Sequence, residues 1–379
     1  MRIRPFSIGL SSPLRTAHGE ITERDGFLVE VSAGDDPRAS ATGVGEATPL
    51  PGWTESLAAC EGVLAGDDGG SPDPDEIDPH ETPAARHGVA LAVGDATARE
   101  AGRPLAARLA DHAGFSESTE CSASAEFSES ARSHDAAGST PSEAAPSPTV
   151  PVNATVGDGS RAETVAAAER AVDDGYDCIK LKVGARSVEA DLSRLRGVRE
   201  AVGPAVELRA DANGAWDPKT ARRALDGFEE VDLAYVEQPL SAESVTETAR
   251  LRAATAVPIA LDESLGTHSV TAVLAAEAAD VVVLKPMVLG GPDRTVAAAK
   301  LARDAGVEPV VTTTIDAAVA RTAAVHVAGA IPDVGACGLA TADLLAADLT
   351  PDPCPVSDGR IAVPDGPGLA DDAFEDLFR

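Results

Sequence analysis

Five ionisable residues stand at the ends of successive short apolar runs in the middle of this chain. Lys182 closes Lys180-Leu-Lys182, Asp211 opens Asp211-Ala-Asn213, and Glu237-Gln-Pro, Asp262-Glu-Ser and Lys285-Pro close three more runs. The steps from Lys182 to Asp211, Glu237, Asp262 and Lys285 are 29, 26, 25 and 23 residues, each the length of one strand-plus-helix unit. Residues so spaced fall at equivalent heights on successive strands of a (β/α) barrel, at the C-terminal mouth. Asp211, Glu237 and Asp262 on three adjacent strands converge, and converging carboxylates raise one another's pKa. A hard divalent cation resolves that repulsion, and an all-oxygen donor set suits Mg2+, for which Mn2+ can substitute. Lys182 and Lys285 lie four strands apart in a ring of eight and so face each other across a metal-held substrate. Lys180 and Lys182 share one face of their strand, and their mutual repulsion together with the cation is expected to tune Lys182 toward a base. A polar loop explains one acid at a strand end but not five correctly typed residues in a row. A lysine on a barrel strand can also form a Schiff base, but the three carboxylates have no role in that chemistry.

The elements that must carry these residues are legible as eight β segments. They are Val152–Val156, Cys178–Val183, Glu207–Ala210, Ala234–Val236, Pro258–Leu261, Val281–Leu284, Pro309–Thr313 and a short run at Cys337–Ala340. Seven Ala-rich helical segments separate them, which predicts an α/β fold, a (β/α)7β modified TIM barrel over 151–349. An open doubly wound sheet is the alternative, disfavoured because no G-x-G-x-x-G follows any strand. Residues 1–112 read as an α+β capping domain completed by about 350–379. In it Val29–Ser32 and Thr42–Ala47 flank a turn at Gly34–Pro37, and helices are expected near Glu55–Leu64 and Ala84–Ala101. Residues 113–150 form a Ser-rich segment with ten serines between 115 and 148, too poor in large apolar side chains to offset its ordering entropy.

Composition narrows the partners. The 379 residues carry 62 acidic against 31 basic side chains, a formal charge of -31, which argues against nucleic acid and anionic membrane surfaces. No apolar run reaches the roughly 18 residues of a membrane span. Met1-Arg-Ile-Arg-Pro-Phe has no continuous apolar leader, so a cytoplasmic protein is expected. The five cysteines share no C-x-x-C spacing and the histidines no close pair, which excludes a disulfide framework or a zinc site. Only five of the 31 basic residues are lysine, so the surface is acidic and nearly lysine-free. Codon bias toward Arg and Ala is one reading; a salt-rich cytoplasm that screens self-repulsion is the other.

Taken together, Lys180-x-Lys182, Asp211-x-Asn213, Glu237-x-Pro239, Asp262-Glu-Ser264 and Lys285 resemble the enolase superfamily, specifically its muconate-lactonizing-enzyme subgroup. The resemblance implies a barrel with an N-terminal cap and a small-molecule carboxylate substrate. It implies proton abstraction α to the carboxylate by Lys182, with Mg2+ stabilising the enediolate. Within the subgroup, Gly45-Glu-Ala-Thr-Pro-Leu-Pro-Gly-Trp53, Arg209 and the closing Cys337-Gly-Leu-Ala-Thr341 most resemble the o-succinylbenzoate synthases, which dehydrate rather than epimerise. On that resemblance Gly52, Trp53, Arg209, Asn213, Thr312 and Thr313 are expected to touch substrate. Thr312-Thr-Thr-Ile-Asp316 departs from the Ser-Ser and Glu of many relatives. Dipeptide epimerases and N-acylamino acid racemases share much of the capping segment. A non-catalytic metal- and carboxylate-binding paralogue is the reading from another class, although a binder needs no opposed lysines. A homo-oligomer is left open.

Overall fold

A computed structural model describes residues 1–16, 19–32, 41–66, 73–115 and 146–379. The turn expected at Gly34–Pro37 and nearly all of the Ser-rich segment lie outside the described residues. The chain opens with three antiparallel strands in the order β1 (Arg2–Thr16), β2 (Gly19–Ser32), β3 (Thr42–Ala47). Strand β1 was not anticipated; it carries Pro5 and Pro13 but is an edge strand, where a missing amide donor is tolerated. Helices α1 (Leu57–Ala65), α2 (Pro83–Glu100) and α3 (Leu105–Ala113) complete this unit. Ser56 caps α1 by accepting the Ala59 amide at 3.2 Å. Just before it, Thr54 accepts the Leu50 amide at 2.8 Å. Gly43 and Gly45 let α2 lie directly on β3; a Cβ at Gly45 would collide with the Gly88 carbonyl.

The barrel follows β4 (Thr149–Pro151). It runs β5 (Ala154–Val156), α4 (Arg161–Asp173), β6 (Cys178–Lys182), α5 (Val188–Val202), β7 (Glu207–Asp211), α6 (Pro218–Phe228), β8 (Tyr235–Glu237) and α7 (Val245–Arg252). It continues through β9 (Ile259–Leu261), α8 (Val270–Ala275), β10 (Val281–Leu284), α9 (Pro286–Leu289), α10 (Pro292–Asp304), β11 (Glu308–Val311) and α11 (Ala318–Ala330). Strands β5 to β11 are parallel neighbours in chain order. The eighth stave is not a full strand. Single parallel bridges Val152↔Cys337 and Thr312↔Gly338 close the ring there.

Alternation along each strand sorts the side chains. On β6, Ile179 and Leu181 are fully buried with helical residues such as Leu195 and Val198, and on β7 Leu208 and Ala210 join them. Lys180, Lys182, Arg209 and Asp211 therefore occupy the opposite, interior face. The tail divides its contacts. Strand β13 (Arg360–Ala362) pairs with β4 and, on its other edge, with β12 (Val356–Ser357), while Leu369 donates its amide to Asp95 of α2 at 2.8 Å and Arg2 donates to the Phe378 carbonyl at 2.8 Å. None of the described helices is long and apolar enough to cross a membrane.

Candidate active site

The register of the parallel strands brings the polar interior residues level: Lys182 pairs with Asp211, and Asp211 with Glu237. Both lysines of β6 reach the same carboxylate oxygen, with Lys182 Nζ at 2.7 Å and Lys180 Nζ at 3.0 Å from Asp211 Oδ2. Lys180 also donates to both oxygens of Glu237 at 2.9 and 3.1 Å. Across the mouth, Lys285 donates to both oxygens of Asp262 at 2.6 Å, and its Nζ lies 3.4 Å from the Trp53 ring centroid. Asn213, at φ +44°, accepts from Lys182 at 2.8 Å and donates to Glu263 at 2.9 Å.

Electrostatics follow from burial and charge count. Burial alone would raise the Asp211 carboxyl, but Lys180 and Lys182 outweigh it and hold it well below the ordinary range. Burial, reinforced by Asp211, pushes Glu237 up to about 7. Burial likewise pushes Asp262 up to about 6 against the pull of Lys285. The Lys180 ammonium, lowered by burial but held by Asp211 and Glu237, titrates well above its ordinary value. Four acids, Asp211, Glu237, Asp262 and Glu263, thus share three lysines, and Glu263 Oε2 is buried with no hydrogen-bond partner.

Asp211 and Glu237 meet on the Lys180 ammonium, and Asp262 meets Lys285. Among the described residues no three acidic, His or Cys side chains are drawn into one coordination shell. Each acid turns to its nearest ammonium instead, because the same oxygens serve lysine or metal. The donor set nevertheless fits a hard cation: it is all carboxylate and anionic in excess, and the buried Glu263 Oε2 beside it has no hydrogen-bond partner. Asp211, Glu237 and Asp262 are the residues that could hold it.

The expected substrate contacts separate. The Arg209 guanidinium is buried, bonded to Glu207 at 2.5 Å and the Ala336 carbonyl at 2.7 Å and stacked on Tyr235. It plugs the barrel interior below the mouth because it sits one inward position before Asp211. Thr312 donates to the Gly338 carbonyl at 2.8 Å and helps close the ring, whereas Thr313 meets Thr341 at 3.1 Å. Gly52 and Trp53 line a cavity of about 650 Å3 between the cap and the β9 and β10 loops, with His80, Leu265 and Arg294. Two supports were missed in the sequence. Gln238, read only as the middle of Glu-x-Pro, accepts the Asp262 and Ser264 amides at 3.0 and 3.1 Å. Arg194 of α5 donates to the Lys182 carbonyl at 2.8 Å and the Gly157 carbonyl at 2.6 Å. A helical arginine that is almost fully buried carries no such mark in sequence.

The family model described as enolase C-terminal domain-like matches residues 163–376. An o-succinylbenzoate synthase from Thermobifida fusca is 43% identical over 209 residues, 54% of this chain and 63% of that enzyme. The L-Ala-D/L-Glu epimerase from Bacillus subtilis is 32% identical over 224 residues, 58% of this chain and 61% of that enzyme. The alignments thus span about three fifths of the length of these curated relatives. A substrate-liganded structure of the same epimerase superposes with a TM-score of 0.77 at 25% identity, covering 97% of each chain. A dipeptide epimerase from Methylococcus capsulatus, complexed with Mg and L-Arg-D-Lys, gives 0.74 at 26% identity over 97% of this chain and 98% of that one. With the family match covering more than half of its length and the barrel and cap matched over nearly all of it, this chain belongs to the enolase superfamily.

Proposed function

We propose that this chain is an o-succinylbenzoate synthase of menaquinone biosynthesis, dehydrating 2-succinyl-6-hydroxy-2,4-cyclohexadiene-1-carboxylate to the aromatic product. The observation that carries this reading is the inequality of the two lysines. The Lys182 side chain is 35% exposed and turned to the mouth, whereas that of Lys285 is 9% exposed, clamped by both oxygens of Asp262 and roofed by Trp53. One half-exposed base and one buried, fixed cation suit a reaction that needs a proton moved on a single face. The 43% identity to the Thermobifida fusca synthase supports the same reading.

Mg2+ held by Asp211, Glu237 and Asp262 would supply the positive charge that makes the α-proton of a carboxylate labile. Lys182 takes that proton from C1. Its ammonium then gives the proton to the hydroxyl leaving C6, so the C–H and C–O bonds break, a ring double bond forms and water departs. Lys285 holds its charge against the developing anion and exchanges no proton. Asn213 accepts from the Lys182 ammonium and so orients it between the two transfers. Thr313 and Trp53 stand at the mouth where they can meet the substrate.

Epimerisation of a dipeptide or N-acylamino acid is the second reading, favoured by the near-complete superposition on the Bacillus subtilis epimerase. The direct test is the ultraviolet change on aromatisation when purified protein and Mg2+ meet the cyclohexadiene. Turnover supports the synthase. No aromatic product, with L-Ala-L-Glu epimerised, replaces it by the second reading.

A further inference from the structure

The loop that follows β11 contains Ile315 at φ +62°. A β-branched residue in the left-handed region is strained, and such strain persists only where surroundings impose it. Here the imposing groups belong to the capping unit. Arg24 of β2, 3% exposed, donates Nε to the Ile315 carbonyl at 3.2 Å. Its other nitrogens donate to the Pro49 carbonyl at 3.0 Å and the Thr48 carbonyl at 2.8 Å. Two residues further on, Ala317 stands at the N-cap of α11 with no side-chain cap of its own. Asp348 accepts the Ala318 amide at 2.9 Å, and the neighbouring amides are capped from β3. Fully buried Glu46 accepts the Ala317 amide at 2.9 Å on Oε1 and the Ala320 amide at 2.8 Å on Oε2, with Thr48 donating to Oε1 at 2.6 Å. A carboxylate at a helix N-terminus satisfies amides that otherwise lack partners.

We propose that Arg24 and Glu46 are positioning residues through which the capping unit sets the shape of the 312–317 loop, and with it the place of Thr313 at the barrel mouth. Ile315 is the bent point, gripped from one side by Arg24, and the α11 amides are the anchored end, held by Glu46. Asp316 locks the turn from within by accepting from the Thr314 amide at 3.3 Å and from its hydroxyl. Neither Arg24 nor Glu46 moves a proton in the reaction. Their effect falls on substrate affinity, a consequence that rests on the carboxylate-substrate reading above.

The test compares Arg24→Lys with Arg24→Lys/Ile315→Gly in the full chain with Mg2+. Lysine keeps the charge beside Glu46 and Asp316 but lacks the planar fork that reaches three carbonyls. Released strain should raise KM about fivefold in Arg24→Lys with kcat within about twofold. Amides 314–320 should exchange hydrogen faster. Glycine adopts positive φ at no steric cost, so adding Ile315→Gly should bring KM back toward the parent value. A KM and an exchange rate unmoved by Arg24→Lys, or a raised KM that Ile315→Gly leaves unchanged, would overturn the proposal. If the parent protein does not turn over the cyclohexadiene, the functional reading falls. The exchange rates of 314–320 then decide the positioning proposal alone: faster exchange in Arg24→Lys upholds it, and equal exchange overturns it.

Discussion

Gln238 and Asp262 are joined by a bond that runs between neighbouring barrel strands: the Asp262 amide donates to the Gln238 side-chain oxygen at 3.0 Å. The same oxygen accepts the Ser264 amide, and the Gln238 amide group donates to Ser264 Oγ at 2.9 Å and the Leu240 carbonyl at 2.8 Å. Gln238 is fully buried at φ +41°, so its side chain has no alternative in water. The second acid of the site, Glu237, is thus continuous with the residue that orients the third.

Gln238→Leu should therefore loosen Asp262 without touching any carboxylate. Two buried amides lose their acceptor, at about 1–3 kcal/mol each before relaxation. A supporting bond of this kind typically changes metal affinity about 10–100-fold. Calorimetric titration with Mg2+ reads the loss, and an unchanged affinity in a folded variant would separate Gln238 from the cation.

Metal dependence should be equally plain. Chelation is expected to abolish turnover and added Mg2+ to restore it, and Asp211→Asn should prevent the restoration. At Mg2+ about a hundredfold above its dissociation constant, binding to the folded state adds about 2.7 kcal/mol, visible as a higher melting temperature. A melting curve indifferent to Mg2+, with activity surviving exhaustive chelation, would remove the cation from the site.

Acid should weaken the fold through His326. Burial, opposed by a bond to the Leu369 carbonyl, pushes its pKa down to about 4. The ring is fixed as the Nε2–H tautomer, because Nδ1 accepts the Ala106 amide at 3.1 Å while Nε2 donates to the Leu369 carbonyl at 2.5 Å. With the folded pKa below the unfolded one, the stabilisation is whole above pH 6.5 and is lost as pH falls toward 4. Between pH 7 and 4.5 that loss is about 2 kcal/mol. Urea unfolding at both pH values should show it in the parent and not in His326→Gln; equal losses would contradict it.

How far the sequence could be read depended on whether a residue's role was periodic or relational. Lys182, Asp211, Glu237, Asp262 and Lys285 were legible because one strand-plus-helix unit separates each from the next, and no other arrangement of five lysines and many acids has that rhythm. Arg209 shares the same strand face as Asp211, and alternation alone cannot tell mouth from interior. Depth is decided by partners, Glu207 and Ala336, that come from distant parts of the chain. Edge strand β1 carries prolines, and whether a missing donor matters there depends on which neighbour is absent. Gln238, Arg194, Arg24 and Glu46 act through backbone atoms of other segments, which leave no pattern in the residues themselves.

The acidic surface is expected to want salt. With 62 acids against 31 bases, self-repulsion opposes the compact state, and the screening length falls to about 3 Å at 1 M salt. The melting temperature should climb as KCl rises from dilute to molar. A flat or falling midpoint would reduce this composition to codon usage.

The division of labour between Lys182 and Lys285 is tested most directly by assaying Lys182→Ala and Lys285→Ala beside the parent in D2O. The substrates are the cyclohexadiene carboxylate, L-Ala-L-Glu and an N-acylamino acid. With Lys182 as the base, Lys182→Ala should form no aromatic product. Lys285→Ala should form it about 10²–10³-fold more slowly through lost charge stabilisation. No protein of the three should place solvent deuterium on the α-carbon of the dipeptide or the amino acid at an appreciable rate. Rapid deuterium incorporation from both faces of such a substrate by the parent, with no aromatic product from the cyclohexadiene, would show both lysines exchanging protons and contradict the synthase.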